Sequence, residues 1–270
     1  MNKFLFLLGT LLLILPFGLK VWESERQDEL IATYSQNVKE KETEELEAGI
    51  ASARDYNRQL FETGKIDLER YENELNLFEN GIMGSLEVPR ISLKLPIYHG
   101  TEEDVLARGI GHLKESSLPI GGVNSHSVLS GHRGLPNAQL FTRLDELKKG
   151  DVFSIKINQN TLNYCVTNIV TVKPDDTEGL RIQEGKDLVS LVTCTPYGIN
   201  THRLIVTGER IVENKKVGHL KEASWISKRD ICFLLIPVLF LGFVLMKKRK
   251  KEEDKCEKMD CIMHRGLTKL

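Results

Sequence analysis

The stretch SLVTCTPYGINTHRLIVTGER, Ser190 to Arg210, carries the residues best suited to covalent chemistry. An apolar run ends at Cys194, a turn-rich loop follows from Thr195 to Asn200, and a second strand-like run begins near His202 and Arg203. Paired as an antiparallel hairpin, the two runs set Cys194 and Arg203 on neighbouring strands at the loop mouth. A guanidinium beside a thiol favours the thiolate. It can also stabilise an oxyanion forming on an attacked carbonyl.

A cysteine nucleophile needs a proton-transfer partner, usually histidine. The candidates are His99, His112, His126, His132, His202 and His219. His132 is preferred. It follows the strand-like Ser127-Val128-Leu129-Ser130 and lies in the glycine-flanked turn Gly131 to Pro136, a rim position that leaves an imidazole accessible. His126, on the near side of the same strand, is the second choice. His202 adjoins Arg203, but adjacent strand residues face opposite ways, so only one of the two points at Cys194. Two plainer readings use the same residues. In one, Cys194 is structural and the protein is a non-enzymatic scaffold or adhesion domain; in the other it is a hydrolytic cysteine peptidase. Thiol reactivity separates the first from a rim nucleophile, and the product formed with added amine separates the second.

The elements that must position these groups are legible as two patterns. Residues 23–80 are rich in Glu, Lys, Gln, Leu and Ala and contain no proline. Leu68, Tyr71, Leu75 and Phe78 recur at helical spacing, and Gly64-Lys65 predicts a break into two helices. From Gly84 short β-rich runs appear between Gly, Pro, Asn and Asp: Ser85–Val88, Ile91–Tyr98, Ser127–Ser130, Val152–Ile157, Thr161–Val172, Leu188–Thr193 and Arg203–Ile211. Such runs predict a β-barrel or sandwich. Val105 to Leu113 reads as a short helix or loop between strands.

Two apolar runs flank this region, Phe4–Leu19 and Ile231–Met246, the second followed directly by Lys247 to Lys251. Each is a little shorter than the roughly 20 residues of a spanning helix. Flanking Lys20, Trp22, Trp225 and Arg229 extend the reach. The first run lacks a small-residue cleavage site and reads as an uncleaved anchor. The basic block places the C-terminal tail in the cytoplasm; two spans place the N-terminus there too, and the part between them outside. The chain has 37 Lys+Arg against 38 Asp+Glu over 270 residues, a net charge of −1. This balance excludes a general nucleic-acid binder, and the composition excludes a disordered chain or disulfide scaffold. The charge is uneven: the tail beyond Met246 is +4 and the remainder −5.

Of five cysteines only Cys165 and Cys194 fall between the spans. Cys165, in an alternating strand pattern, reads as a small buried apolar residue. No metal or organic cofactor is implied; the acidic pairs Glu102-Glu103 and Asp175-Asp176 read as solvated loop charges. The predicted organisation is a membrane anchor at 1–22, a helical region at 23–83, the β-domain at 84–213, a linker at 214–230, a second span at 231–246 and a basic tail at 247–270.

LVTCTPYGINTHRLIVTGER resembles the cysteine and arginine motifs of the sortase transpeptidases, and HSVLSGHRGLPNAQLFTRLDELKKGD resembles the region of their histidine. VPRISLKLPIYHGT and GIGHLKESSLPIGG resemble their first strands and the connection between. The resemblance covers Gly84 to Ile211 and is greatest to the class C, pilin-type members, which share Cys-Thr-Pro-Tyr-Gly, the His-Arg-Gly-Leu-Pro context and a second membrane span. It implies a mainly β fold, a closed eight-stranded barrel with short helices. It also implies Cys194 as nucleophile, His132 as acid/base and Arg203 as oxyanion or substrate stabiliser. The implied partners are a protein with a Leu-Pro-x-Thr-Gly-like sorting signal and an amine, either a pilin lysine or a peptidoglycan peptide. Many class C members carry a lid anchored by an Asp-Pro-aromatic motif. That motif is missing here, since no proline occurs from 17 to 88. The Asn73–Gly81 segment is the remaining candidate to shield the site.

Overall fold

The computed structural model describes residues 3–78, 80–135 and 138–211, together with 242, 246 and 247. The chain divides into two compact units, Met1–Leu15 with Trp225–Leu270, and Pro16–Ser224. The described residues of the first unit are helical. The second holds the elements that build the site.

Three helices precede the barrel: α1 (Lys3–Glu40), α2 (Thr43–Thr63) and α3 (Leu68–Asn73). In α2, Leu46, Ala53, Tyr56, Asn57 and Leu60 are buried. Their spacing of three and four residues builds one inward face. Gly64 ends α2 in the left-handed conformation, with φ of 64° and its N–H bonded to the Leu60 carbonyl, the backbone state that glycine adopts without strain. Asp67 caps α3 by accepting from the Arg70 N–H at 3.0 Å. The break at Gly64 therefore falls as the sequence predicts. A second break, at Lys41-Glu42 between α1 and α2, carries neither Gly nor Pro and has no local signal. The predicted boundary at 22/23 falls inside the continuous α1.

The backbone of the first apolar run, Phe4–Leu19, forms the start of α1. Among the described residues no helix is long and apolar enough to cross a membrane. The second run, Ile231–Met246, lies outside the described residues except for Gly242 and Met246.

Eight strands follow: β1 (Ile82–Val88), β2 (Leu93–His99), β3 (Ile110–His112), β4 (Ser125–Ser130), β5 (Val152–Ile157), β6 (Asn160–Val172), β7 (Asp187–Thr195) and β8 (His202–Arg210). They close a barrel in the order β1-β2-β3-β4-β7-β8-β6-β5, the mainly β architecture expected. β2–β3 and β4–β7 are parallel pairs; the others are antiparallel. The segment read as a helix or loop is both: a one-turn helix α4 (Glu103–Leu106), then β3. Three residues are too few to show a period-two pattern, so β3 is set by its two neighbours rather than by its own sequence.

Alternation divides the strands. Leu86, Leu95, Ile97, Leu129, Phe153, Ile155, Tyr164, Val189, Leu191, Leu204 and Val206 fill the main core. Val128, Val192 and Ile205 form a separate apolar cluster with Leu113, Val172 and Leu180 packed against it. Residues two apart on a strand share a face. The second cluster therefore lies on the outer face of β4, β7 and β8.

The helical region is bonded to the barrel. Asn57 on α2 donates to the Leu118 carbonyl at 3.0 Å and accepts from its N–H at 2.7 Å. On α3 the buried Tyr71 hydroxyl lies 3.0 Å from His112 Nδ1 and accepts from the Gly100 N–H at 3.0 Å. His112 Nε2 donates to the Ser117 carbonyl at 2.8 Å. With one ring nitrogen donating and the other receiving, His112 is neutral, and burial lowers its pKa to about 4.

Candidate active site

The β7–β8 ladder runs without a register shift from Leu188↔Glu209 to Thr195↔His202, and Cys194 lies opposite Arg203. Directly opposed residues of an antiparallel pair share a face, with Cα atoms about 4.5–5.5 Å apart. The hairpin expected from the sequence is therefore present, with Cys194 and Arg203 on one face at its open end. His202 pairs with Thr195 and faces the other way; its Nδ1 is 3.0 Å from the Thr201 hydroxyl.

On the opposite side of β7, the parallel β4–β7 register ends at Ser130↔Val192. Backbone bonds carry it further: Gly131 N–H donates to the Val192 carbonyl at 3.1 Å, and the Thr193 hydroxyl donates to the Gly131 carbonyl at 2.7 Å. Continued by one more residue, the same register would set His132 beside Cys194. The thiol on β7, the guanidinium on β8 and the imidazole two residues past the end of β4 thus lie at one end of three laterally adjacent strands.

The chain around His132 is held closely. A Cβ on Gly131 would meet a Phe141 ring carbon at 2.9 Å and Ile110 Cγ2 at 3.0 Å, so the position before the imidazole accepts glycine alone without displacing core side chains. The Phe141 N–H donates to the His132 carbonyl at 3.1 Å. The His132 side chain is one-quarter exposed, and its Nε2 is 3.3 Å from Glu103 Oε1 on α4. That geometry is not a hydrogen bond; Nε2 makes none among the described residues. Cys194 and Cys165 are both free and half-buried. Arg203 bonds only to main-chain carbonyls, of Asn200 at 3.4 Å and His202 at 3.2 Å, and pairs with no carboxylate among the described residues. Its remaining N–H groups are available to a developing oxyanion.

Stepping two residues at a time along the outer face from Cys194 and Arg203 gives Val192 and Ile205, then Ser190 and Thr207. The apolar cluster with Val128 is thus a strip leading from the thiol, roofed at Leu180 by the segment between β6 and β7. A polar chain closes it. The Thr207 and Ser190 hydroxyls are 2.8 Å apart, Ser190 donates to His126 Nε2 at 2.8 Å, and His126 Nδ1 donates to the Arg181 carbonyl at 2.9 Å. His126, the second-choice partner, is therefore fully occupied away from the thiol, and burial lowers its pKa. Sequence reasoning did not find this role; the signal was present in the period-two match of His126, Ser190 and Thr207.

One further expectation is corrected. Cys165 is not buried in the core but faces outward on β6, between the inward Tyr164 and Val166. It pairs with Glu209, six residues along β8 from Arg203. At about 3.3 Å per residue the two cysteines are some 20 Å apart, beyond disulfide reach. The Asn73–Gly81 segment packs on the barrel side: Glu74 accepts from His99 Nε2 at 2.7 Å, and Leu75 joins the core. None of its hydrogen bonds reaches Cys194, His132 or Arg203 among the described residues.

The structure is thus a closed eight-stranded β-barrel that carries, at one end, a free cysteine paired across strands with an arginine, the groups a nucleophile and an oxyanion donor would need. A family model of the sortase domain matches residues 86–211. The solved structure of sortase C1 from Streptococcus agalactiae superposes with a TM-score of 0.66 at 45% identity, covering 69% of this chain and 100% of that chain. A Clostridium perfringens sortase C, solved with the C-terminal cell wall sorting motif, gives 0.63 at 45% identity, covering 68% and 98%. Sortase D of Bacillus subtilis is 37% identical over 131 residues, which are 47% of this chain and 63% of that relative's length. The chain belongs to the sortase family of cysteine transpeptidases.

Proposed function

We propose that the chain is a membrane-anchored extracellular transpeptidase that cleaves a Leu-Pro-x-Thr-Gly-like sorting signal and joins the new acyl end to a pilin lysine. The observation that carries this reading is the cross-strand pairing of Cys194 with Arg203, with His132 two residues past the end of β4, the neighbouring strand on the other side of β7. The Cys194 thiolate attacks the Thr carbonyl, and Arg203 stabilises the oxyanion. His132 protonates the leaving amine, and the segment beyond Thr departs. A thioacyl-enzyme remains at Cys194. His132 then takes a proton from the incoming amine, which attacks the thioester and restores the thiol. The apolar strip of Val128, Val192 and Ile205 suits the Leu-Pro part of the signal. No organic cofactor or metal enters any step.

The pilin reading is supported by likeness to class C sortases, among them a Streptococcus pneumoniae sortase C whose structure is described in terms of pilin substrate specificity. Housekeeping transfer to a peptidoglycan amine is the second reading. It draws on the Sortase A of Bacillus anthracis, 29% identical over 179 residues and covered over 82% of its length. Anchoring is supported by the two apolar runs, the Lys247–Lys251 block, and the exposure of Leu15, Leu19 and Trp22 on α1. In this topology the catalytic domain is extracellular and both termini are cytoplasmic.

The test offers the enzyme a sorting-signal peptide with either a pilin subunit or a peptidoglycan peptide amine. An isopeptide bond to a pilin lysine, located by mass spectrometry, is the expected product. Transfer to the peptidoglycan amine alone selects the housekeeping reading, and hydrolysis alone overturns transpeptidation.

A further inference from the structure

Arg133 follows His132 directly, yet its side chain is only 4% exposed. Its NH1 group donates to the Thr195 hydroxyl at 3.0 Å and its NH2 group to Asp145 Oδ2 at 2.7 Å. The guanidinium carbon also lies 6.0 Å from the centre of the Tyr197 ring. Tyr197 in turn packs against Gly134, where φ is +86° and a Cβ would meet the ring at 3.1 Å.

The position of this group matters more than its strength. Continuing the β4–β7 register beyond Ser130↔Val192 pairs His132 with Cys194 and Arg133 with Thr195. Adjacent residues on extended chain face opposite ways. Cys194 and Thr195 are adjacent on β7 and face opposite ways, so the Arg133–Thr195 bond lies on the side of that strand away from the thiol. It joins the two strand ends one residue beyond the thiol and the imidazole, where the ladder has stopped supplying backbone bonds. Asp145, in the 3-10 segment Leu140–Glu146, holds the guanidinium from the far side, and Phe141 of the same segment holds the His132 carbonyl.

We propose that Arg133 is a positioning residue: through Thr195 and Asp145 it fixes the separation of Cys194 and His132 from behind. The inference rests on the reading of Cys194 and His132 as nucleophile and acid/base. Among the described residues the side-chain contacts of Arg133 are to Thr195, Asp145 and Tyr197, and none is to Cys194. Its planar fork is suited to holding two acceptors at set angles, which the point charge of lysine is not.

Three variants test this in the full chain: Arg133→Met, Thr195→Val and Thr195→Ser. Thr195→Val keeps the shape and removes only the hydroxyl, so it reads the brace even where Arg133→Met does not fold. A misplacement of about 1 Å costs on the order of 100-fold in rate. Thr195→Val and a folded Arg133→Met are expected to lose about 10- to 100-fold in kcat on a sorting-signal peptide, with KM little changed. Thr195→Ser, which restores the hydroxyl, recovers the rate. Alkylation of Cys194 by iodoacetamide is measured beside it and needs no substrate. A slower alkylation in Thr195→Val than in Thr195→Ser supports the brace even for a protein that acylates no peptide, an outcome that sinks only the sorting-signal reading. Equal alkylation and equal kcat in the two threonine variants would overturn the proposal.

Discussion

Cys194 and Arg203 are cross-strand partners, one step from the open end of the β7–β8 ladder. Among the described residues no side chain competes for the guanidinium, whose bonds go to the Asn200 and His202 carbonyls. Removing a preorganised oxyanion donor commonly costs about 10²–10³ in kcat. Arg203→Met is expected to lose that much turnover at an unchanged melting temperature, and Arg203→Lys to recover only part. Steady-state kinetics on a peptide substrate decide it; wild-type kcat in Arg203→Met would contradict the assigned role.

Tyr71 ties α3 to the barrel through one hydroxyl. Tyr71→Phe leaves the Gly100 N–H and His112 Nδ1 buried without that partner. An orphaned buried polar group costs about 1–3 kcal/mol, and 1 kcal/mol moves Tm by about 2–4 °C in a domain of this size. A fall of several degrees is expected in thermal unfolding. An unchanged Tm would mean that water replaces the hydroxyl freely.

His112 makes stability depend on pH. Its pKa is lowered from 6.5 to about 4, by burial above all. Between those values the unfolded chain binds more protons than the folded one, so stability is complete above pH 6.5 and falls as pH drops toward 4. At 1.36 kcal/mol per pKa unit the loss is of the order of 3 kcal/mol. Denaturant unfolding at pH 7 and pH 4.5 measures it. In His112→Gln this part of the slope should vanish, and an identical slope in both proteins would refute the assignment.

His126 links the apolar strip to the chain between β6 and β7. His126→Phe keeps bulk but breaks the bonds to Ser190 and to the Arg181 carbonyl. With Leu180 no longer held over Val128, Val192 and Ile205, the expected effect is a raised KM with kcat less affected. A fall in kcat alone would instead return His126 to the proton-transfer role.

The barrel was legible where alternation is long. Val152–Ile157 falls on the residues the pattern predicts, because from Phe153 onward its inward and outward residues differ in polarity at every step. β3 was not legible, being three residues fixed by neighbours remote in sequence. The hairpin that pairs Cys194 with Arg203 followed from one loop and two flanking runs. The register that sets His132 beside Cys194 did not, since it depends on a parallel pairing across some 60 residues of chain. Arg133 escaped notice for a related reason: an arginine in a Gly-rich turn reads as surface charge until Asp145 and Thr195 are brought to it. Cys165 misled because period-two alternation fixes which residues share a face, but not which face is the core.

In the proposed reaction a covalent acyl bond forms at one sulfur. Purified enzyme is mixed with a Leu-Pro-x-Thr-Gly peptide without added amine, quenched in acid and examined by intact-mass and peptide-level mass spectrometry. The expected product is an adduct equal to the peptide through Thr, hydroxylamine-labile and mapped to Cys194, and absent from a folded Cys194→Ala variant. An adduct at Cys165, or continued cleavage by Cys194→Ala, would contradict it.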